Sequence, residues 1–458
     1  MPNTTDFPRQ TAFKVLLRIE RDAAYSNLAL DSALTAAKLN GRGAAFCTAL
    51  VYGVTERQIT LDWLLSRRLR KPLEQLRPPV LTALRMGVYQ LYFMDSVPDS
   101  AAVNSTVQLL KANGGDYAVG LVNAVLRKCA ATGLSYPAPT DPDYLSILYS
   151  VPQWLAELWE SSYGREDTAA LLTAALSNSG ENYIRVNTAK TSRDELLAAL
   201  EAEGVSALPS PALPNAVILP KGTPPQKTRA FAAGLYHAQG LASQYCVAAL
   251  DPQPGERILD LCAAPGGKAF TAAQELMSGV ALNTAAQARG EITALDIHAQ
   301  RTELIRKGAA RLGLENITAL TADASLVTTK ELGLFDAVLC DVPCSGLGTI
   351  GKKPDLRKKE RASLDNLPEI QYTLLKNAAS FVRPGGRLLY STCTLNPAEN
   401  EGLCSRFPAE YPTFVQDTNV LPHLPRHAPG SAFLYLFPHL HGCDGFFIAK
   451  FTKGQDDG

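Results

Sequence analysis

Two of the nine cysteines in the chain sit where a thiol can do chemistry. Cys344 lies in Asp341-Val-Pro-Cys-Ser-Gly-Leu-Gly348 and Cys393 in Tyr390-Ser-Thr-Cys-Thr394. Each string follows a short apolar, strand-like run, so each thiol falls just past a strand end, in a polar loop. A thiolate in such a place can act as a nucleophile. Cys262, Cys340, Cys246 and Cys47 lie among apolar neighbours and read as small buried hydrophobes. An odd number of cysteines over a long chain is no disulfide framework. No CxxC pair or Cys/His spacing suggests zinc, so no metal is expected.

A second constellation is the string Asp260-Leu-Cys-Ala-Ala-Pro-Gly-Gly-Lys268, which follows a strand-like run and opens a helix. The small residues Ala263, Ala264, Gly266 and Gly267 let backbone approach a ligand closely. The helix start behind them offers free N–H donors to a carboxylate. Asp296 ends the next run, Ile292-Thr-Ala-Leu-Asp296, where a carboxylate can accept both ribose hydroxyls of an adenosyl ligand. Asp323, in Thr321-Ala-Asp-Ala324, is placed to reach an adenine amino group. The distance from the glycine loop to Asp296 is long, which a polar, Ala-rich insertion at 278–290 accounts for. There is no GxxxxGK[ST] string and no GxGxxG at the first turn. Phosphoryl transfer and dinucleotide binding are disfavoured accordingly.

These residues need elements to hold them. Arg257–Leu261, Glu291–Ile297, Ile317–Leu320, Phe335–Cys340 and Arg387–Tyr390 read as strands, mostly separated by helical stretches. That grammar predicts a doubly wound parallel sheet over 246–453, with its ligand beyond the carboxyl ends of the strands. Residues 1–132 repeat apolar positions at helical spacing, as in Ala12, Val15, Leu16 and Ile19, and predict an all-α bundle. A proline-rich linker at 133–144 follows. Residues 145–245 predict a small α+β subdomain, with strands at Tyr183–Val186 and Ala216–Leu219 and a capped helix at Ser192–Glu203.

With these motifs in place, the chain resembles the Sun/NOL1/NOP2 family of RNA cytosine-5 methyltransferases. The strings DLCAAPGGK, DVPCSGLG and STCT carry the likeness. Asp99-Ser-Ala-Ala-Val-Asn-Ser-Thr-Val107 and Gly120-Leu-Val-Asn-Ala-Val-Leu-Arg127 resemble a NusB-like RNA-binding domain. The combination is similar to the bacterial type that modifies small-subunit ribosomal RNA. The resemblance implies a Rossmann-like domain that takes S-adenosylmethionine as methyl donor, held by Cys262, Ala263, Ala264, Pro265, Gly266, Gly267, Lys268, Asp296, Asp323 and Asp341. It makes Cys393 the nucleophile at carbon 6 of cytosine and gives release of the product to Cys344, as a base or through a water. Asp341 is placed to assist at nitrogen 3 of the base. Lys268 either hydrogen-bonds the base and favours the Cys393 thiolate, or is simply an ion-pairing lysine.

Charge and composition are compatible with this. Lys+Arg and Asp+Glu are both 44, so net charge says nothing of an RNA partner. Residues 1–135 carry 16 basic against 10 acidic side chains, an excess of six, densest at Arg67-Arg68-Leu69-Arg70-Lys71. Lys352–Arg361 is the most basic stretch and, beside the Cys344 loop, is expected to meet backbone phosphates. The tract Gln239–Gln244 resembles the opening motif of the catalytic domain, with Gly240 where an acidic residue is usual. The six histidines form no catalytic set and read as loop or core residues. No apolar run is long enough for a bilayer and no secretory leader is evident, so a cytoplasmic monomer is expected. Three other readings stand beside this one: a transfer-RNA enzyme of the same family, a DNA cytosine-5 methyltransferase attacking through Cys344, and a non-catalytic antitermination-type factor.

Overall fold

The computed structural model describes residues 7–22, 24–177, 182–277, 290–428 and 430–455. The insertion expected at 278–290 therefore lies outside the described residues except for Gly290. Packing divides the chain into two units, one of residues 1–176 with 352–361 and the other of 177–351 with 362–458.

The first unit is helical. Its early helices are Phe7–Asp22, Ser26–Ala36, Gly41–Glu56, Gln58–Ser66, Pro78–Phe93, Asp99–Ala112 and Val119–Thr132. The periodic residues point inward: Ala12, Val15, Leu16, Ile19, Leu84, Val88, Leu110, Val122 and Leu126 are all buried. Each fully buried leucine or isoleucine of this kind contributes about 1.5–3 kcal/mol. One charged cluster is folded into the bundle, with Arg85 donating to Asp62 at 2.7 Å and to Glu20 at 2.8 Å.

Two further helices, Tyr144–Tyr149 and Gln153–Leu176 (broken at Gly164), belong to this unit by packing, although the sequence groups them with the α+β subdomain. The tie is polar: Thr60 Oγ1 donates to the Ile147 carbonyl at 2.6 Å, and Arg57 to that of Leu148 at 3.1 Å. Arg357, from the basic stretch, is also folded in, and only 4% exposed. It donates to the carbonyls of Tyr149 and Ser150, at 2.7 and 3.0 Å, and faces Glu56 at 3.4 Å. Asp355 accepts from both the Ser26 amide and hydroxyl. The expectation that this whole stretch meets phosphates fails at Arg357, whose charge is used internally; Lys352, Lys353, Lys358 and Arg361 are exposed.

The second unit holds two sheets. The smaller is antiparallel, ordered β2-β3-β1-β4, from β1 (Asn182–Val186), β2 (Leu208–Pro209), β3 (Ala216–Leu219) and β4 (Tyr236–Ala238). Its helix Arg193–Glu201 begins at Ser192, which with Glu195 forms the reciprocal cap that the sequence signals. The larger sheet is made of β5 (Arg257–Asp260), β6 (Glu291–Asp296), β7 (Ile317–Thr321), β8 (Phe335–Asp341), β9 (Val382–Thr392), β10 (Phe414–Asp417), β11 (Leu434–Leu436) and β12 (Phe446–Lys453). The order is β10-β12-β9-β8-β5-β6-β7, with β11 against β12.

Strands β5 to β9 are parallel, as expected, but β12 runs antiparallel to β9, with β10 and β11 pairing antiparallel to β12, making the sheet mixed. The apolar run Phe446–Phe451 that builds β12 does not itself reveal direction. From β5 the chain winds outward through β6 and β7, then returns to β8 on the other side. The switch falls between β5 and β8, where an open sheet leaves a crevice beyond its carboxyl ends. Asp260 and Asp341, the last residues of β5 and β8, stand at that place.

Candidate active site

The two thiols converge. Cys344 and Cys393 have their sulfurs 3.4 Å apart and both are partly exposed. Adjacent strands bring them together: β8 pairs with β9 in a register that sets Asp341 beside Ser391. Close backbone contact then locks the two loops. The Gly348 amide donates to the Cys393 carbonyl at 3.0 Å, and the Gly445 amide to that of Gly348 at 2.9 Å. A Cβ on Gly348 would lie 2.0 Å from the Gly445 carbonyl oxygen, so only glycine permits the approach. The Cys344 thiol is pushed well above its ordinary value, first by its hydrogen bond with Cys393, then by burial and nearby acidic groups.

At the Asp341 end of β8 lies a cleft of about 210 Å³, lined by Gln239, Gly240, Asp260, the glycine loop, Lys268 and Asp341 among others. Of the sequence candidates, Cys262, Ala263, Ala264, Pro265, Gly267, Lys268 and Asp341 border it. The loop folds as its composition demands. Gly266 has φ +108°, and a Cβ there would strike the Phe270 ring at 2.4 Å. The helix Gly267–Leu276 starts at once, so its free amides face the loop's end of the cleft. Cys262 is partly exposed and borders the cleft, rather than being wholly buried as first read; burial and Asp260 push its thiol to about 12.

Lys268 and Asp341 pair at 2.6 Å across 73 positions of sequence. Burial pulls the lysine's proton affinity down, but Asp341 and its neighbours outweigh this and hold it firmly protonated. Ser391 donates to the other Asp341 oxygen at 2.8 Å, so both oxygens are occupied as acceptors. Of the two readings of Lys268, the ion pair is therefore present. Asp260 behind them is 2% exposed, and neither oxygen has a well-formed hydrogen bond. Burial first, then the Asp341 charge, raise its carboxyl to about 7, against the pull of Lys268.

Asp296 is buried at the end of β6 and stands outside the cleft lining. It accepts from the His298 amide at 3.0 Å and pairs with Arg301 at 3.3 Å. Arg301 also donates to the Ala264 carbonyl at 2.9 Å, tying this carboxylate to the glycine loop. Asp323 is half-buried and accepts from the Ser325 amide and hydroxyl, which hold its carboxyl below the usual range. Among the described residues no His, Cys, Asp or Glu cluster could hold a metal ion. No described helix is long and apolar enough to cross a membrane.

Sequence reasoning passed over one group. Glu399 is wholly buried beneath the thiol loops and accepts from Ser345, Gln371 and Asn396. It lies in the polar string Asn396-Pro-Ala-Glu-Asn400, one residue beyond STCT, whose nearness to Cys393 is the one available signal. His237, read as a core residue, is one: burial, then Arg185 and Arg311, push it down to about 3.

Comparison with known proteins agrees with this architecture. A family model described as 16S rRNA methyltransferase RsmB/F matches residues 247–452. The NusB family matches 7–131, and an RsmF/B-like ferredoxin-like domain matches 151–226. A protein of Bacillus subtilis (strain 168), named probable ribosomal RNA small subunit methyltransferase B, is 36% identical over 452 residues, 97% of this chain and 98% of its own. A protein of the same name from Synechocystis sp. is 37% identical, covering 97% and 99%. The crystal structure of PH0851 superposes with a TM-score of 0.79 at 26% identity, over 97% of this chain and 99% of that one. A helical NusB-like domain, a ferredoxin-like segment and a Rossmann-like catalytic domain in one chain, shared end to end with these relatives, mean that this protein belongs to the RsmB/F family of small-subunit ribosomal RNA methyltransferases.

Proposed function

We propose that the protein methylates carbon 5 of a cytosine in small-subunit ribosomal RNA, using S-adenosylmethionine and a covalent link between Cys393 and carbon 6. The observation that carries this is the pair of sulfurs 3.4 Å apart, in the loops that follow the adjacent strands β8 and β9. Carbon 5 of cytosine is a poor nucleophile until a thiolate adds next to it, and such an addition must later be undone. Two thiols within reach of one ring satisfy both needs.

The cleft suits the donor. Gly266 has no room for a side chain, the amides that start the helix Gly267–Leu276 suit a carboxylate, and Asp260 is a buried acid without a good partner. In this reading the loop Cys262–Lys268 holds the amino-acid end, Asp296 the ribose and Asp323 the adenine amino group, and the bound donor supplies an electrophilic methyl.

The chain's own groups then do the following. Cys393 releases its proton to solvent and its sulfur bonds to carbon 6, leaving carbon 5 electron-rich enough to take the methyl. Cys344, whose S–H can face that sulfur, shares the charge of the thiolate beforehand. Once Cys393 has become a thioether, the hydrogen bond that most strongly raises the Cys344 thiol is gone. Cys344 can then lose its own proton to solvent and, as the thiolate, accept the carbon 5 proton, directly or through water. As that proton leaves, its bond electrons rebuild the ring and the carbon 6–sulfur pair returns to Cys393.

Asp341 accepts from both Lys268 and Ser391, so both of its oxygens are already engaged. Lys268 is thus the better candidate to donate toward nitrogen 3, with Asp341 positioning it. The test is to supply small-subunit RNA and methyl-labelled donor, then digest to nucleosides. Label in 5-methylcytidine supports the proposal; label in another base, or only when transfer RNA is supplied, contradicts it.

A further inference from the structure

Glu399 is a charged side chain with 0% exposure, set under both thiol loops with no function in the chemistry above. One of its oxygens accepts from the Ser345 amide at 2.8 Å and from Gln371 at 2.8 Å. The other accepts from the Ser345 hydroxyl and from Asn396 at 2.9 Å. Its own carbonyl accepts from the Tyr390 hydroxyl at 2.7 Å. Four donors therefore converge on one carboxylate, two of them from the residue next to Cys344. The Ser345 hydroxyl has a single hydrogen, and it is spent on Glu399. The 2.7 Å contact between the Ser345 and Thr394 hydroxyls must then be a donation from Thr394. Through Ser345 the carboxylate thus reaches the residue after Cys393 as well.

The two loops do not depend on it equally. The Cys393 loop has other supports: the Gly348 amide, the Thr392 hydroxyl bonded to Asn400 at 2.6 Å, and the Asn400 amide on the Thr394 carbonyl at 3.0 Å. Ser345, next to Cys344, has its amide and hydroxyl on Glu399, and the Pro343 carbonyl on the other side of Cys344 accepts at 3.0 Å from Gln371, which Glu399 itself holds. Charge-assisted hydrogen bonds in a dry site are strong and directional, so their loss displaces the group they hold.

We infer that Glu399 is a positioning residue for the second thiol: through Ser345 it holds Cys344 against Cys393, and so sets the rate at which the covalent RNA adduct is resolved rather than the rate at which it forms. The inference rests on the two-thiol function proposed above.

The discriminating measurement compares wild type, Cys344→Ala, Glu399→Gln and Ser345→Ala with small-subunit RNA and methyl donor on a denaturing gel. Glu399→Gln keeps the shape but turns an acceptor into a donor among donors, and Ser345→Ala removes only the hydroxyl link. Both should raise the ratio of covalent species to released methylated RNA, by about tenfold for Glu399→Gln and less for Ser345→Ala. A purely structural role would lower adduct and product together and leave that ratio at the wild-type value, which overturns the inference. If Glu399→Gln does not fold, Ser345→Ala decides alone. If Cys344→Ala itself traps no RNA, the two-thiol reading fails, an outcome distinct from a trap by Cys344→Ala that the other two variants do not share.

Discussion

Replacing Asp260 by asparagine should remove most of a pH-dependent penalty built into the catalytic unit. The unfolded chain releases this proton near 3.8, whereas burial and the Asp341 charge hold it in the folded protein until about 7. Between those values folding takes up a proton, so the wild type loses stability as pH rises through the window and levels off above it. A difference of roughly three pKa units corresponds to about 4 kcal/mol at 1.36 kcal/mol per unit. Asparagine has the same shape and no charge to bury. The variant should match the wild type near pH 4 and exceed it by up to about 4 kcal/mol at pH 8. The assay is urea unfolding followed by far-UV circular dichroism at several pH values and constant ionic strength. Tryptophan fluorescence would miss the effect, because Trp63, Trp154 and Trp159 all belong to the helical unit. A gap between variant and wild type that stays constant from pH 4 to 8 would refute the burial argument.

Three more outcomes follow from the geometry. Gly266→Ala forces a side chain into φ +108° and against Phe270, and should cost about 1–3 kcal/mol; donor affinity by calorimetry should drop with it. Arg357→Ala leaves Glu56 and two carbonyls without their buried partner and should destabilise the helical unit by roughly 3 kcal/mol, read from tryptophan fluorescence during urea unfolding. Lys268→Met strands the Asp341 carboxylate beside Asp260. Methyl transfer should fall by about a hundredfold or more while RNA binding changes little, and unaltered transfer would exclude Lys268 from the chemistry.

What could be read from the sequence follows the physics of each element. Strands β5 to β9 were visible because strands covered on both faces carry continuous apolar runs. Gly266, Cys344 and Cys393 were visible because glycine turns and polar thiol loops at strand ends have few other uses. The rest was hidden for equally physical reasons. Glu399 ends the short 3-10 helix Pro397–Glu399 in a polar string, where an acidic residue ordinarily meets water, and the fold reveals the donors around it. Arg357 belongs to a run of cations that suggests a solvated face, yet it turns inward to three acceptors. The pairing of Lys268 with Asp341 joins the start of the helix Gly267–Leu276 to the end of β8, a contact that follows only from the order β5-β8. The helices at 144–176 carry ordinary amphipathic patterns, which say that a face is buried but not against what.

The central claim is that two thiols divide one reaction, attack falling to Cys393 and release to Cys344. It is met most directly by giving Cys344→Ala and Cys393→Ala the same RNA and methyl donor and running each on a denaturing gel. The account predicts a covalent protein–RNA band with Cys344→Ala and none with Cys393→Ala. The reverse pattern, or full methylation by either variant without a band, would contradict it.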